Sequence, residues 1–175
     1  MQGEYLTYLE EKKYKTRYRT EFITITDDVE EIIKKSRIKR GTITIQTHHT
    51  TCGVWVNENE KNLIGPSEEI GYTADLRKVL DNFADPVLEY GHNDICHVQN
   101  KNGKRDTHLC EPDENGLINE CINGHAHAQA MMLQSSISLI VENGKLLKGR
   151  WQEVMLVELD HDRERTVSFL VSGMT

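Results

Sequence analysis

Six of the eight histidines in this chain fall into three clusters that could supply a metal site. The clusters are His48 with His49, His92 with His97, and His125 with His127. Neutral imidazole is the commonest protein ligand for zinc-like metals, and three such ligands with one open position make a catalytic site. No pair has the HExxH spacing that fixes two ligands on one helix face, so surface histidines remain the alternative.

The stretch THHTTCGVWVNENE, residues 47–60, predicts a strand that carries one of these clusters. Neighbouring side chains of a strand point to opposite faces, so no more than one of His48 and His49 can line a pocket if the strand continues. The same strand would then deliver a histidine and the Asn57-Glu58 end to one site.

The flanking sequence predicts the elements that must position this strand. β-branched runs at 20–26 and 42–47 predict strands, and Val29, Ile32 and Ile33 share one face of a helix between them. Asp27 or Asp28 is the predicted N-cap of that helix. A second helix is predicted over 73–83, with Thr73 as its N-cap. The last third predicts antiparallel strands, with Asn143-Gly144 forming a type I′ turn.

Charge and hydropathy limit the classes of partner and the compartment. The 175 residues, enough for a single domain, hold 21 basic and 28 acidic residues, a formal charge of −7. That charge disfavours nucleic acid and anionic membranes as partners. Neither a membrane span nor a signal peptide is predicted, which favours a cytoplasmic protein.

The four cysteines are expected to be mostly reduced in a cytosolic protein, which favours metal binding or simple burial over disulfide formation. The polar segment at about 95–121 has no sustained period and reads as a long inserted loop. It contains Cys96, Cys110 and Cys121 with His97 and His108 but no CxxC pair. A zinc knuckle is therefore a weaker prediction than cysteines that are simply thiols of the loop.

Three blocks of the sequence resemble the YjbQ family of secondary thiamine-phosphate synthases. The blocks are HHTTCGVWVNENE, YGHND, and the run from NGHAHAQ to HDRERTV, and together they span Thr47 to Val167. The positions that match the family pattern are His49, Thr50, Thr51, Asn57, Glu58, His92, Asn123, His127, Asn143, Gly144, Leu146, Gly149, Trp151, Gln152, Arg163 and Arg165. The inserted loop and the additional histidine, His125, depart from that pattern, so an added metal ligand or a lid is an alternative.

The resemblance implies an α+β fold of antiparallel, sandwich-like sheets with a few short helices, assembled as a homotrimer. It implies a metal site at His49, His92 and His127, holding zinc or another divalent ion such as Mg²⁺. It also implies a thiamine phosphate synthase activity, which joins hydroxymethylpyrimidine diphosphate to a thiazole phosphate. A non-catalytic trimer that binds a metal or metabolite is the alternative, and a thiol-based metal-buffering protein is a weaker one.

Further roles follow from residue chemistry once that site is assumed. Glu58 is the candidate base or orienting carboxylate beside His49, and Asp75 could serve likewise, although an exposed helix carboxylate is the simpler reading. Arg163 and Arg165 flank a turn, so we expect no more than one of them, Arg165, to meet a small phosphorylated ligand. The other predicted ligand contacts are Thr51, Asn57, Asn123, Trp151 and Gln152.

Overall fold

The computed structural model describes residues 3–65, 74–93 and 121–175. The strands within these ranges are β1 (Tyr5–Lys15), β2 (Glu21–Thr24), β3 (Arg40–Thr47), β4 (Cys52–Asn57), β5 (Ser136–Glu142), β6 (Lys145–Leu146), β7 (Glu153–Glu158) and β8 (Glu164–Met174). The helices are α1 (Thr26–Ser36), α2 (Lys61–Ile64), α3 (Asp75–Phe83) and α4 (Gly124–Ala130), with a 3-10 turn at Gly91–Asn93.

The strands form two antiparallel sheets, which confirms the predicted α+β class. Sheet A has the order β1-β8-β3-β5-β6, and sheet B has the order β2-β7-β4. The long N-terminal strand β1 pairs with β8 along its full length, from Tyr5 opposite Met174 to Lys15 opposite Glu164.

Strand β7 is the middle strand of sheet B, and both of its faces are buried. Val154 and Leu156 join the core between sheet A, sheet B and α1, which includes Phe169 of β8. Met155 and Val157 point the other way, into a second cluster beneath the helices. An uninterrupted apolar run is what such a doubly buried strand requires, since neither face can be polar.

Helix α1 has the predicted buried face but a different start. Val29, Ile32 and Ile33 are fully buried, as the period predicts. The prediction that Asp27 or Asp28 caps the helix is wrong: the cap position is Ile25, without a side-chain bond. Asp28 instead accepts hydrogen bonds from Lys12 and Tyr14, so a tertiary contact takes the carboxylate that a local cap would have used.

The C-terminal strands pair differently from a simple meander. Asn143 and Gly144 have φ of 56° and 71°, which confirms the turn between β5 and β6. After that hairpin the chain leaves sheet A for β7 of sheet B and returns in β8, between β1 and β3. Thr73 lies outside the described residues, and α3 begins at Asp75 after an Ala74 cap.

The prediction of one continuous strand through 47–60 is also wrong. Strand β3 ends at Thr47 in sheet A, and β4 begins at Cys52 in sheet B, so His48 and His49 lie in the turn that crosses between the sheets. This turn can be polar because its backbone is satisfied by both sheets: the His48 amide donates to the Thr166 carbonyl, and the Leu159 amide donates to the Thr51 carbonyl.

Cysteine pairing also differs from the expectation of reduced thiols. Cys121 is disulfide-bonded, whereas Cys52 is a free and buried thiol. The rest of the predicted insertion, including Cys96, His97, His108 and Cys110, lies outside the described residues. Among the helices that are described, none is long and apolar enough to cross a membrane.

Candidate functional site

Seven of the predicted site residues lie at one or the other of the two ends of sheet B. Cys52 lies opposite Glu158, and Asn57 lies opposite Glu153. Five residue steps at about 3.4 Å each put about 17 Å between these ends of β4. We call them the Glu158 end and the Glu153 end. The Glu158 end has Thr51, Asn123 and Arg165, and the Glu153 end has Asn57, Glu58, Trp151 and Gln152.

A buried ion pair organises the Glu158 end. The Arg165 guanidinium bonds through two nitrogens to the Glu158 carboxylate, with 4% and 0% of the two residues exposed. Arg165 also donates to Thr51 Oγ1 at 3.1 Å, and Glu158 accepts from Thr16 Oγ1 at 3.1 Å. A carboxylate therefore already matches the charge of Arg165, which fixes the crossing turn through Thr51.

A second carboxylate continues the network toward helix α4. Asp160 accepts from Asn123 Nδ2 at 2.9 Å and from Arg163 at 3.1 Å. Asn123 immediately precedes α4, so Asp160 ties the start of that helix to the end of β7. Both Arg163 and Arg165 thus pair with carboxylates at the Glu158 end.

Helix α4 brings two of the predicted metal ligands together. The Gly124 amide donates to Asn93 Oδ1 at 2.8 Å. A Cβ at Gly124 would lie 2.5 Å from Tyr90 Cβ, so only glycine permits this approach. The contact seats the 3-10 turn against α4, and the rings of His92 and His127 meet edge to face with centroids 4.5 Å apart.

The separation of these rings is close to that of two ligands of one metal ion. An ion about 2.1 Å from one nitrogen of each ring would be about 3.2 Å from each ring centre, so the centroids would be about 4.5 Å apart for a right angle at the ion and about 5.2 Å apart for a tetrahedral angle. The observed interplanar angle is 67°. An edge-to-face ring pair without metal has the same separation. No group of three His, Cys, Asp or Glu side chains in the described ranges is placed to hold an ion, so His49 does not complete a triad within one chain.

His49 makes a different contact at the Glu158 end. Its Nε2 accepts a hydrogen bond from the Thr166 backbone amide at 2.8 Å. Burial lowers the pKa of His49, and the neighbouring Arg165, His48 and Arg163 lower it further. The neighbouring His48 points elsewhere and bonds to Ser168 Oγ at 2.8 Å.

The residues at the Glu153 end have mainly local partners. Asn57 Oδ1 accepts from the Glu58 amide, and Gln152 Oε1 accepts from the Gly149 amide. Trp151 is 63% exposed beneath the Arg150 guanidinium, 4.9 Å from the ring centre. Asp75 lies on the outer turn of α3 and pairs with Lys78 at 3.2 Å, with 62% of its side chain exposed. Asp75 is thus an exposed carboxylate on a helix, the simpler of the two interpretations that the sequence allowed.

Sequence reasoning missed Glu158, Asp160 and the buried face of α4. His125 on that face is buried, and neither ring nitrogen has a hydrogen bond of good geometry. Burial lowers its pKa most, Arg19 lowers it further, and Asp160, the Leu159 backbone and Asp81 oppose this. The available signal was a carboxylate at the end of an apolar run, EVMLVELD, where a buried acid needs a partner.

The fold is that of a class of small α+β proteins, which comparison with known proteins identifies. Residues 10–174 match the family of UPF0047 proteins described as YjbQ-like. A UPF0047 protein of Methanothermobacter thermautotrophicus is 26% identical over 166 residues, covering 95% of this chain and 92% of that protein. The UPF0047 protein YugU of Bacillus subtilis is 28% identical over 159 residues, covering 91% and 95%.

Solved structures agree with the sequence comparison. A YbjQ-like protein of unknown function from Sulfolobus solfataricus P2 superposes with a TM-score of 0.74 at 28% identity, covering 97% of this chain and 99% of that one. A hypothetical protein of Aeropyrum pernix gives a TM-score of 0.71 at 25% identity, covering 94% and 97%. The chain therefore belongs to the YjbQ-like UPF0047 family.

Proposed function

We propose that this protein is a metal-dependent enzyme that acts on a small phosphorylated substrate. The observation that carries the proposal is the contact between His92 and His127, whose 4.5 Å separation is close to that of two ligands of one ion. The remaining coordination positions would be taken by water or by substrate oxygens, and open positions distinguish a catalytic zinc site from a closed structural one.

The charges at the Glu158 end support an ion as the main partner of a phosphate. Arg165 is buried and bonded to Glu158, and Arg163 pairs with Asp160 at 3.1 Å. Neither guanidinium is held with its charge unmatched, so a phosphoryl group entering here needs another positive charge. A divalent ion on His92 and His127 would supply it, and His92 is on the exposed side of the pair.

Thiamine phosphate synthesis is the first reaction to test, because the family resemblance names it. In that reaction the thiazole nitrogen displaces pyrophosphate from hydroxymethylpyrimidine diphosphate, and negative charge develops on the leaving group. An ion that neutralises this charge lowers the barrier. We propose zinc as the ion, with Mg²⁺ as the competing choice, since imidazole ligands suit zinc better than magnesium.

We also propose that the chain acts as a homotrimer. The outer face of sheet A carries exposed apolar side chains, among them Leu9 at 62% and Ile140 at 55% exposure, which association would cover. Light scattering coupled to size exclusion measures the mass directly, and a monomer of 20.1 kDa would reject this part of the proposal.

Metal content is the deciding measurement. Protein purified without an affinity tag should carry stoichiometric metal, which His127→Ala and His92→Ala should lose while keeping their circular dichroism spectra. His48→Ala is the matched control, because its imidazole bonds to Ser168 instead. Wild type without bound metal, or metal retained in His127→Ala, would reject the metal site.

Turnover then separates an enzyme from a binding protein. Wild type that is given both thiamine precursors should release pyrophosphate from hydroxymethylpyrimidine diphosphate, and the two metal-site variants should not. Metal-loaded protein that binds the precursors but turns over neither would favour the non-catalytic alternative.

A further inference from the structure

The hydrogen bond to His49 fixes which of its nitrogens carries the proton. A neutral imidazole has one N–H and one nitrogen with a free lone pair. The Thr166 amide can only donate, and it points at His49 Nε2 from 2.8 Å. Nε2 must therefore be the lone-pair nitrogen, and the hydrogen of the neutral ring is on Nδ1.

This tautomer is unsuited to metal binding. A ligating histidine gives its lone pair to the ion and donates its other N–H to an oxygen acceptor. In His49 the lone pair is already engaged by a backbone amide that the strand order holds in place, because Thr166 is within β8. Binding an ion would require this bond to break or the neutral ring to lose its one remaining N–H proton.

The Nδ1–H group is available to a ligand. His49 is half-buried, and within the described residues no hydrogen bond from Nδ1 accompanies the one at Nε2. The guanidinium groups that act on the ring, those of Arg165 and Arg163, are already paired with Glu158 and Asp160. These carboxylates are engaged, so the phosphorylated substrate proposed above would supply the oxygen that accepts from this donor.

We infer that His49 is a substrate-binding donor whose Nδ1–H contacts an anionic phosphoryl oxygen, and that it is not a ligand of the metal. The inference rests on the proposed function for the identity of the substrate. The Thr166 amide orients the ring, so the donor direction is set by the register of β8 rather than by a second carboxylate.

Two substitutions separate the ring's two hydrogen bonds. In His49→Gln the amide oxygen reaches the place of Nε2 and can accept from Thr166, but no donor remains at the Nδ1 position. In His49→Asn an amide nitrogen can take the place of Nδ1. His48→Gln is the matched control on the adjacent residue, and both variants of His49 should remain folded because they stay polar.

Imidazole ¹⁵N spectra test the tautomer without any ligand. At pH 8 the wild-type spectrum should show a His49 signal with a protonated Nδ1 and an unprotonated Nε2, assigned by its disappearance in His49→Gln. Added zinc should leave this signal in place while it moves the signals of His92 and His127. A protonated Nε2, or zinc-dependent loss of the His49 signal, would overturn the inference.

Binding of zinc and of inorganic phosphate tests the role. His49→Gln should keep the zinc affinity of wild type within about twofold but bind phosphate about tenfold more weakly, the scale of one hydrogen bond to a charged group. His49→Asn should recover most of that loss, and His48→Gln should lose none.

The outcomes distinguish this inference from the proposed function. Equal phosphate affinity in His49→Gln and wild type, or no phosphate binding by wild type, overturns the role of His49 even if metal is present. Absence of zinc binding by wild type rejects the metal-dependent enzyme, while the spectra and the phosphate titration still decide the role of His49.

Discussion

Removing the carboxylate of the buried Glu158–Arg165 pair should destabilise the fold far more than removing an exposed one. In Glu158→Gln the size of the side chain is kept, and its amide oxygen can still accept from the Leu159 and Asp160 amides that now bond to Glu158. The Arg165 charge, 4% exposed, would lose its counterion. Breaking one side of a buried pair costs about 3–5 kcal/mol, and the retained acceptor places this variant near the lower value.

Urea unfolding at one fixed protein concentration measures this loss. With a slope of about 1–3 kcal/mol per molar urea, a loss of about 3 kcal/mol lowers the midpoint by about 1–3 M. The matched control is Glu164→Gln, because Glu164 pairs with Lys13 at 2.6 Å with 62% and 66% of the side chains exposed. Surface pairs contribute about 1 kcal/mol or less, so its midpoint should change little.

A double variant tests the cause of the loss. Glu158→Gln combined with Arg165→Met leaves no buried charge and should recover most of the stability, because apolar replacement of a buried pair is often neutral. If Glu158→Gln alone unfolds no earlier than Glu164→Gln, the Glu158–Arg165 pair does not have the structural role described here.

Three further measurements test the core, a thiol and a histidine. Phe169→Ala should cost about 3–5 kcal/mol in urea unfolding because the ring is fully buried, whereas its neighbour Leu170, 39% exposed, should cost much less on the same change; equal losses would contradict the packing. Burial raises the pKa of the Cys52 thiol to about 12, so iodoacetamide should label Cys52 only after unfolding, and rapid labelling of the native protein by mass spectrometry would contradict this. Because the pKa of His49 is lowered from its ordinary value of 6.5, the folded state binds fewer protons than the unfolded chain near that pH. The free energy of unfolding should therefore fall as the pH drops below 6.5, and it should fall more steeply in wild type than in His49→Gln. Urea midpoints that change in parallel with pH in the two proteins would refute this.

Local sequence determined the elements whose signals are short-range. The period of Val29, Ile32 and Ile33 specifies the buried face of α1, since three to four residues return a side chain to the same side of a helix. Asn143 and Gly144 specify their turn, because both tolerate positive φ. The three blocks of family motif identified the family, and that identification needed no coordinates.

The tertiary structure decided where the chemistry lies. Sequence alone joined His49 to Glu58 in one strand, but the chain crosses between sheets at residues 48–51, and the register of β4 on β7 places Asn57 at the end opposite Glu158. The contacts that define the Glu158 end join positions far apart, such as Thr51 with Arg165, which are 114 residues apart in sequence. Alternation and spacing report on neighbours within a few residues. Which carboxylate meets which arginine, and which nitrogen of His49 remains available, depends on strand pairing between distant segments.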